Sequence, residues 1–170
     1  MGSTAKNISI GWLIAAISCS SLALFFATGL HPRWWLMWFM PTPVLLVAAR
    51  SSGPRAFFVG LVAWFLGSLN MWRVLRNVLQ VPLVPVLEFL ILPGCFFGLG
   101  VLLFCRWVRG GKPAAAAVAF AAFWVTYEYV LAMTSVHSRF GNLAYSQMNF
   151  LPILQLAALT GIWGISFCLS

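Results

Sequence analysis

The chain has 170 residues, of which 62% are hydrophobic and only 7% charged, and its mean hydropathy is +0.97. Soluble domains carry about a quarter of their residues as charged side chains, so this composition excludes an ordinary soluble domain. The net charge of +8 raises the question of a nucleic-acid partner. The basic residues, however, lie mostly between apolar blocks and form no basic face, which argues against nucleic acid and for a membrane bilayer as the surroundings.

Six apolar blocks follow one another along the chain, most of them near the length of about 20 residues that crosses a hydrocarbon core. Backbone polar groups in lipid must be satisfied internally, so each block is expected to be a helix. The sequence therefore predicts an all-α fold, a polytopic transmembrane bundle of about six helices that forms a single domain over residues 1–170. The blocks are Ile8–Thr28, Trp34–Ala49, Ala56–Trp72, Val84–Phe104, Ala114–Met133 and Leu151–Ser170. The second is short and contains Pro41 and Pro43, so we expect it to be kinked, tilted or shifted, and the sixth is still apolar where the sequence stops.

The basic residues between the blocks indicate an orientation. Cytoplasmic connections carry an excess of Lys and Arg, and a cytoplasmic N-terminus places six of the ten basic residues inside, including the dense cluster between the fourth and fifth blocks. We therefore predict a multi-pass protein with its N-terminus in the cytoplasm. The inner residues are then Lys6, Arg50, Arg55, Arg106, Arg109 and Lys112, and the outer ones Arg33, Arg73, Arg76 and Arg139.

Only two acidic residues are present, Glu88 and Glu128, and both fall inside predicted spans. Ionisable groups at such depth are costly and normally face a partner or a water-filled cavity. In the predicted orientation each lies about 10 Å below the outer end of its helix, so both are expected to pair with outer arginines. Two interpretations stay open: the cluster fixes helix packing, or it receives a phospholipid headgroup with arginine as the phosphate donor.

Other chemistry finds little support in the residues. The four cysteines lie within or at the edges of spans without a Cys-x-x-Cys pair, so neither a disulfide framework nor a zinc site is indicated. The chain has no aspartate, which excludes a Ser-His-Asp triad, and no glycine-rich phosphate loop follows a strand. We predict no catalytic residue, no metal and no cofactor in this chain.

Several tracts, in a fixed order, carry a family resemblance. Gly29–Arg33 forms a turn before a Trp-rich block, and Trp124-Val125-Thr126-Tyr127-Glu128 places a tryptophan four residues before a glutamate. Tyr145-Ser146-Gln147 is followed by Gln155-Leu156-Ala157 and then by the run from Thr160 to Phe167, Thr-Gly-Ile-Trp-Gly-Ile-Ser-Phe. Together these tracts resemble the membrane domain of bacterial apolipoprotein N-acyltransferase. The chain departs from that family at His31-Pro32-Arg33, Val130-Leu131, Ser138–Asn142 and Ala144.

The resemblance implies an activity and a place for it. The family moves an acyl chain from a phospholipid to the N-terminal amine of a lipoprotein's diacylglyceryl cysteine in the bacterial inner membrane. Its Glu, Lys and Cys belong to a nitrilase-like domain that these 170 residues lack, so we expect this chain to supply the membrane scaffold and lipid access and to be inactive alone. The candidate substrate-binding residues are Glu128, Arg139, Tyr145 and Gln147, with membrane anchoring as the alternative for Tyr145.

A second function stays open, a non-enzymatic membrane protein such as a transporter subunit or assembly partner. A transporter is expected to show internal repeats and helices broken at the midplane, and the sequence shows neither convincingly.

Overall fold

The computed structural model describes residues 8–29, 31–135 and 140–170, and in these ranges the fold is entirely helical, without a strand. The all-α prediction is confirmed. The α-helices are α1 (Ile10–Ala27), α2 (Trp34–Met37), α3 (Pro41–Ala48), α4 (Gly53–Ser68), α5 (Asn70–Arg73), α6 (Leu83–Arg109), α7 (Pro113–Thr134), α8 (Leu151–Leu154) and α9 (Ala157–Leu169). A π-helical turn, Val74–Val78, continues α5, and a 3₁₀ turn, Leu143–Gln147, lies between α7 and α8.

Within the described ranges, three helices are long and apolar enough to cross a membrane: α1, α6 and α7. A fourth candidate is α4 together with the segment 70–78, which bends from it by 41°. The second and sixth apolar blocks, each predicted as one span, are shorter and divided. Pro41 starts α3 after a break at Trp38–Met40, as a proline at a first helical position does. In α9, Gly161 has a φ of +66° and interrupts the helical geometry.

The bundle is built around α4, which packs against α1 on one side and α6 on the other, while α6 also packs on α7. Small residues permit the closest approach. A Cβ added at Gly98 of α6 would lie 2.8 Å from the carbonyl oxygen of Phe57 in α4, so only glycine fits there. Such small residues let membrane helices approach backbone to backbone.

An aromatic cluster fills the centre of this packing. Trp64 of α4 lies against Phe97 of α6 and Trp124 of α7, with ring centroids 5.3 Å and 4.5 Å away. All three side chains are buried. Aromatic pairs at these separations add stability beyond the area that they bury, so the cluster makes a rigid centre for the bundle.

The two ends of the bundle are distinct. At one end, α1, α4 and α7 finish, α6 begins, and residues 140–150 join α7 to α8; we call residues 140–150 the corner. At the other end, the Arg109 guanidinium donates a hydrogen bond to the carbonyl oxygen of Ser51, which ties the end of α6 to the connection between α3 and α4. The corner end carries the candidate site.

Candidate functional site: a cavity beneath a pinned corner

Glu128 of α7 is buried, with 6% of its surface exposed, and both of its carboxylate oxygens accept hydrogen bonds from the corner. The Asn142 side-chain amide donates to Oε2 over 2.8 Å, and the backbone N–H of Leu143 donates to Oε1 over 2.8 Å. Charge-assisted hydrogen bonds of this length are the stronger class. The carboxylate therefore fastens the start of the 3₁₀ turn to the last turns of α7.

Asn142 extends this network in two further directions. Its Oδ1 accepts from the backbone N–H of Ala144 over 2.9 Å, which caps the 3₁₀ turn, and from the Ser166 hydroxyl of α9 over 3.1 Å. The preceding residue, Gly141, has a φ of +87°, and a Cβ there would lie 3.1 Å from the Phe89 ring. A left-handed turn at glycine thus presents Asn142 to α7 and α9 together.

Gln147 fastens the other end of the turn. Its amide nitrogen donates to the carbonyl oxygen of Trp34 over 3.0 Å and to the Ser146 hydroxyl over 2.9 Å, and its amide oxygen accepts from the Trp38 indole N–H over 3.2 Å. The Phe150 ring stacks on Trp34 with centroids 4.1 Å apart. The corner is thereby fixed to α7, to α9 and to the region of α2.

Beneath the corner lies a cavity of about 770 Å³ between α4, α6 and α7. Cavities of about 300 to 1,000 Å³ are the usual size for small-molecule and cofactor sites. Apolar side chains make up most of the wall, with Trp64 and Trp124 among them, while Tyr145 contributes from the corner and Glu88 from the first turns of α6. The polar part of the wall is Thr28, Ser68, Glu88, Tyr127, Glu128, Ser135, Asn142, Tyr145, Ser146 and Asn149.

The predicted site residues take different positions. Glu128 and Tyr145 are on the cavity wall. Gln147 is fully buried, its amide bonds to internal partners, and it is not among the wall residues. Arg139 lies outside the described residues.

The expected pairing of the two glutamates with outer arginines is not found in the described ranges. Glu128 is enclosed by an amide and a backbone N–H, so it needs no cation to satisfy its oxygens. Glu88 is exposed on the cavity wall. Arg76 donates instead to the carbonyl oxygen of Val81 over 2.8 Å, and Arg73 is exposed.

Two members of the network, Asn142 and Ser166, were not among the site residues predicted from the sequence. Each had a local signal. An asparagine directly after a glycine is typical of a turn with a side-chain cap, and a serine within an apolar helix tends to bond across to a neighbouring element. Neither signal names its partner, because the contact with Glu128 or with α9 depends on how three separate segments pack.

The fold and the cavity together define a class: a multi-pass helical membrane protein with a largely apolar cavity closed on one side by a fixed corner. The family model for the apolipoprotein N-acyltransferase N-terminal domain matches residues 20–170. The chain belongs to this family.

Curated relatives agree with this assignment. The chain is 28% identical over 166 residues to the apolipoprotein N-acyltransferase of Geobacter metallireducens, covering 94% of this chain and 31% of the relative. It is 30% identical over 148 residues to that of Pseudomonas putida, covering 80% of this chain and 29% of the relative. The chain thus spans about three tenths of the length of the curated relatives that it matches. No solved structure matches it.

Proposed function

We propose that this chain acts as the membrane domain of a phospholipid-dependent lipoprotein N-acyltransferase. In this proposal its cavity holds the lipid substrates, and the catalytic residues belong to a domain outside these 170 residues. The observation that supports this proposal is the cavity of about 770 Å³ under the corner, whose walls are mostly apolar and whose polar side chains come from the corner and from the adjoining helix segments. That division suits an amphiphile, because the acyl chain needs an apolar wall and the headgroup needs polar partners.

The corner supports this proposal through its rigidity. Its polar side chains bond to three other parts of the bundle, so the wall that it contributes keeps one shape. A binding wall that is ordered before the ligand arrives avoids the entropy cost of ordering on binding. In this proposal Glu128 and Gln147 act by positioning the corner, and Tyr145, which is 42% exposed, faces the substrate.

The distribution of basic residues supports an orientation in the bacterial inner membrane in which the corner end faces away from the cytoplasm. In the described ranges, the end opposite the corner carries five exposed basic residues, against three at the corner end. Since basic residues favour the cytoplasmic side, the corner and its cavity belong at the outer leaflet. The five are Arg50, Arg55, Arg106, Arg109 and Lys112, and the three are Arg33, Arg73 and Arg76.

A chimera tests the function. Residues 1–170 replace the matched N-terminal part of the Geobacter metallireducens relative, and the product is assayed for acyl transfer from phospholipid to a diacylglyceryl lipopeptide with a free amino terminus. We expect the chimera to acylate the lipopeptide and the 170-residue chain alone to leave it unchanged. A chimera that is inserted and folded but inactive, beside an active parent, would contradict the proposal, as would acylation by the chain alone.

Two adjacent side chains supply a matched test of the cavity within that chimera. Leu92 lines the cavity and Ile91 does not, although both lie on α6 and are exposed to similar extents, 45% and 42%. Leu92→Trp should fill part of the cavity and lower acyl transfer at least tenfold, whereas Ile91→Trp should leave it near the parent rate. If both substitutions changed acyl transfer equally, the cavity would not be the site on which the activity depends.

A further inference from the structure

The polar groups of the cavity wall have an unusual charge balance for so basic a chain. In the described part of the protein, the wall holds two carboxylates and no lysine, arginine or histidine. Glu128 is bonded through both oxygens to the corner. Glu88 has no hydrogen bond or ion pair within the described ranges and is exposed on the wall. Its carboxylate therefore faces the cavity without a partner among the described residues.

The helix ends around the cavity reinforce this sign. Two wall residues directly follow the C-termini of long helices, Thr28 after α1 and Ser135 after α7. The C-terminus of a helix carries roughly half a negative elementary charge. Among the helices of eight residues or more in the described ranges, α1 and α7 end here and α6 begins here, so the C-termini of these long helices add to the negative side of the field at the cavity.

A second unpartnered group lies on the same wall. Tyr127 of α7 is 8% exposed, and its hydroxyl has no hydrogen-bond partner in the described ranges, while its ring stacks on Phe96 with centroids 4.3 Å apart. Buried hydroxyl groups are normally paired. An unpaired donor beside an apolar wall suits an acceptor such as the ester carbonyl of a lipid.

We propose that Glu88 is a specificity-determining residue that makes the cavity select amphiphiles whose polar head carries a primary ammonium. This rests on the proposed function, in which the cavity receives a lipidic substrate. The ammonium has two possible sources, the headgroup of phosphatidylethanolamine or the free amino terminus of a diacylglyceryl lipopeptide. In both, an apolar anchor fills the cavity while the ammonium pairs with the Glu88 carboxylate.

Competitive binding to the purified 170-residue chain in detergent tests the proposal, read out as bound ligand by native mass spectrometry. One arm offers equal amounts of phosphatidylethanolamine and phosphatidylglycerol with identical acyl chains. The other offers a synthetic diacylglyceryl lipopeptide with a free amino terminus and its N-acetylated form. We expect the wild type to prefer the ammonium-bearing ligand in at least one arm by about fivefold, the size expected of one partly exposed ion pair.

Charge variants assign that preference to Glu88. Glu88→Gln should bring the preferred arm to a ratio near one with phosphatidylglycerol binding unchanged, and Glu88→Lys should favour phosphatidylglycerol. The arm that loses its preference identifies the source of the ammonium. The matched control is the double variant Glu88→Gln with Val84→Glu, because Val84 lies one turn earlier on α6, is exposed and is not on the wall; it keeps the net charge and should not restore the preference.

Two results would overturn the proposal: no ammonium preference in either arm of the wild type, or a preference that Glu88→Gln leaves intact. Restoration by Val84→Glu would also overturn it, since net charge and not position would then set the selection. The measurement requires no acyl transfer, so an inactive chimera would contradict the proposed function without deciding the role of Glu88.

Discussion

The two ends of the bundle satisfy their polar groups in opposite ways. At the end opposite the corner, five basic side chains are exposed, and the one cross-connection in the described ranges that they make is from Arg109 to the Ser51 carbonyl oxygen. At the corner end, buried side chains satisfy one another through the chain of contacts Glu128–Asn142–Ser166. The first end depends on water and lipid headgroups, and the second carries its own polar partners. The corner end therefore has a shape that its own side chains fix.

The largest expected effect of a substitution follows from Glu128. In Glu128→Gln the new amide nitrogen would meet the Asn142 amide nitrogen, two donors facing each other, because Asn142 Oδ1 already accepts from Ala144 and Ser166. Unsatisfied buried donors cost about 1 to 3 kcal/mol each, so we expect lower thermal stability in detergent and reduced acyl transfer in the chimera. Unchanged stability would show that the network is not needed.

A compensating change sharpens this test. Adding Asn142→Asp to Glu128→Gln exchanges donor for acceptor, so that the new amide donates to the new carboxylate, which still accepts from Ala144 and Ser166. We expect the double variant to recover most of the lost stability, which a double-mutant cycle measures as coupling. As a control at the opposite end, Arg109→Ala removes an exposed contact and should change stability by less than about 1 kcal/mol.

A smaller effect is expected from the far side of the network. Ser166→Ala removes one hydrogen bond to Asn142, which in a membrane protein is worth about 0.6 to 1.5 kcal/mol. Ser20 provides a matched control, because it is equally buried in α1 but its hydroxyl has no partner in the described ranges. Ser20→Ala should therefore be nearly neutral in the same unfolding assay. If both substitutions lowered the free energy of unfolding equally, the hydrogen bond to Asn142 would not explain the effect of Ser166→Ala.

Local sequence patterns predicted the long helices better than they predicted the contacts at the corner. Apolar length was sufficient to predict helices close to α1, α6 and α7, because this feature acts within a single segment. These patterns also marked Glu128 as a residue that needs partners. Those partners, Asn142 and Leu143, lie 14 and 15 residues further along the chain, and Ser166, which donates to Asn142, lies another 24 residues beyond Asn142. No pattern within one segment specifies such contacts.

The division of the sixth apolar block shows the same limit. Its composition predicts one continuous helix, yet the helix is broken before Ala157 and again at Gly161, where a positive φ replaces helical geometry. Glycine permits that conformation but does not require it. In the folded chain α9 packs against α7 and against the corner, contacts that no local pattern predicts.

We propose that the corner end, with its cavity, faces the outside of the inner membrane. Single cysteines in a cysteine-free background, labelled in intact cells with a membrane-impermeant maleimide, test it most directly. Three exposed, uncharged positions serve: Asn77 and Met148 at the corner end, and Ser52 at the basic end. We expect labelling of Asn77→Cys and Met148→Cys in intact cells, and of Ser52→Cys only after the inner membrane is permeabilised. The reverse pattern would place the cavity in the cytoplasmic leaflet and contradict this orientation.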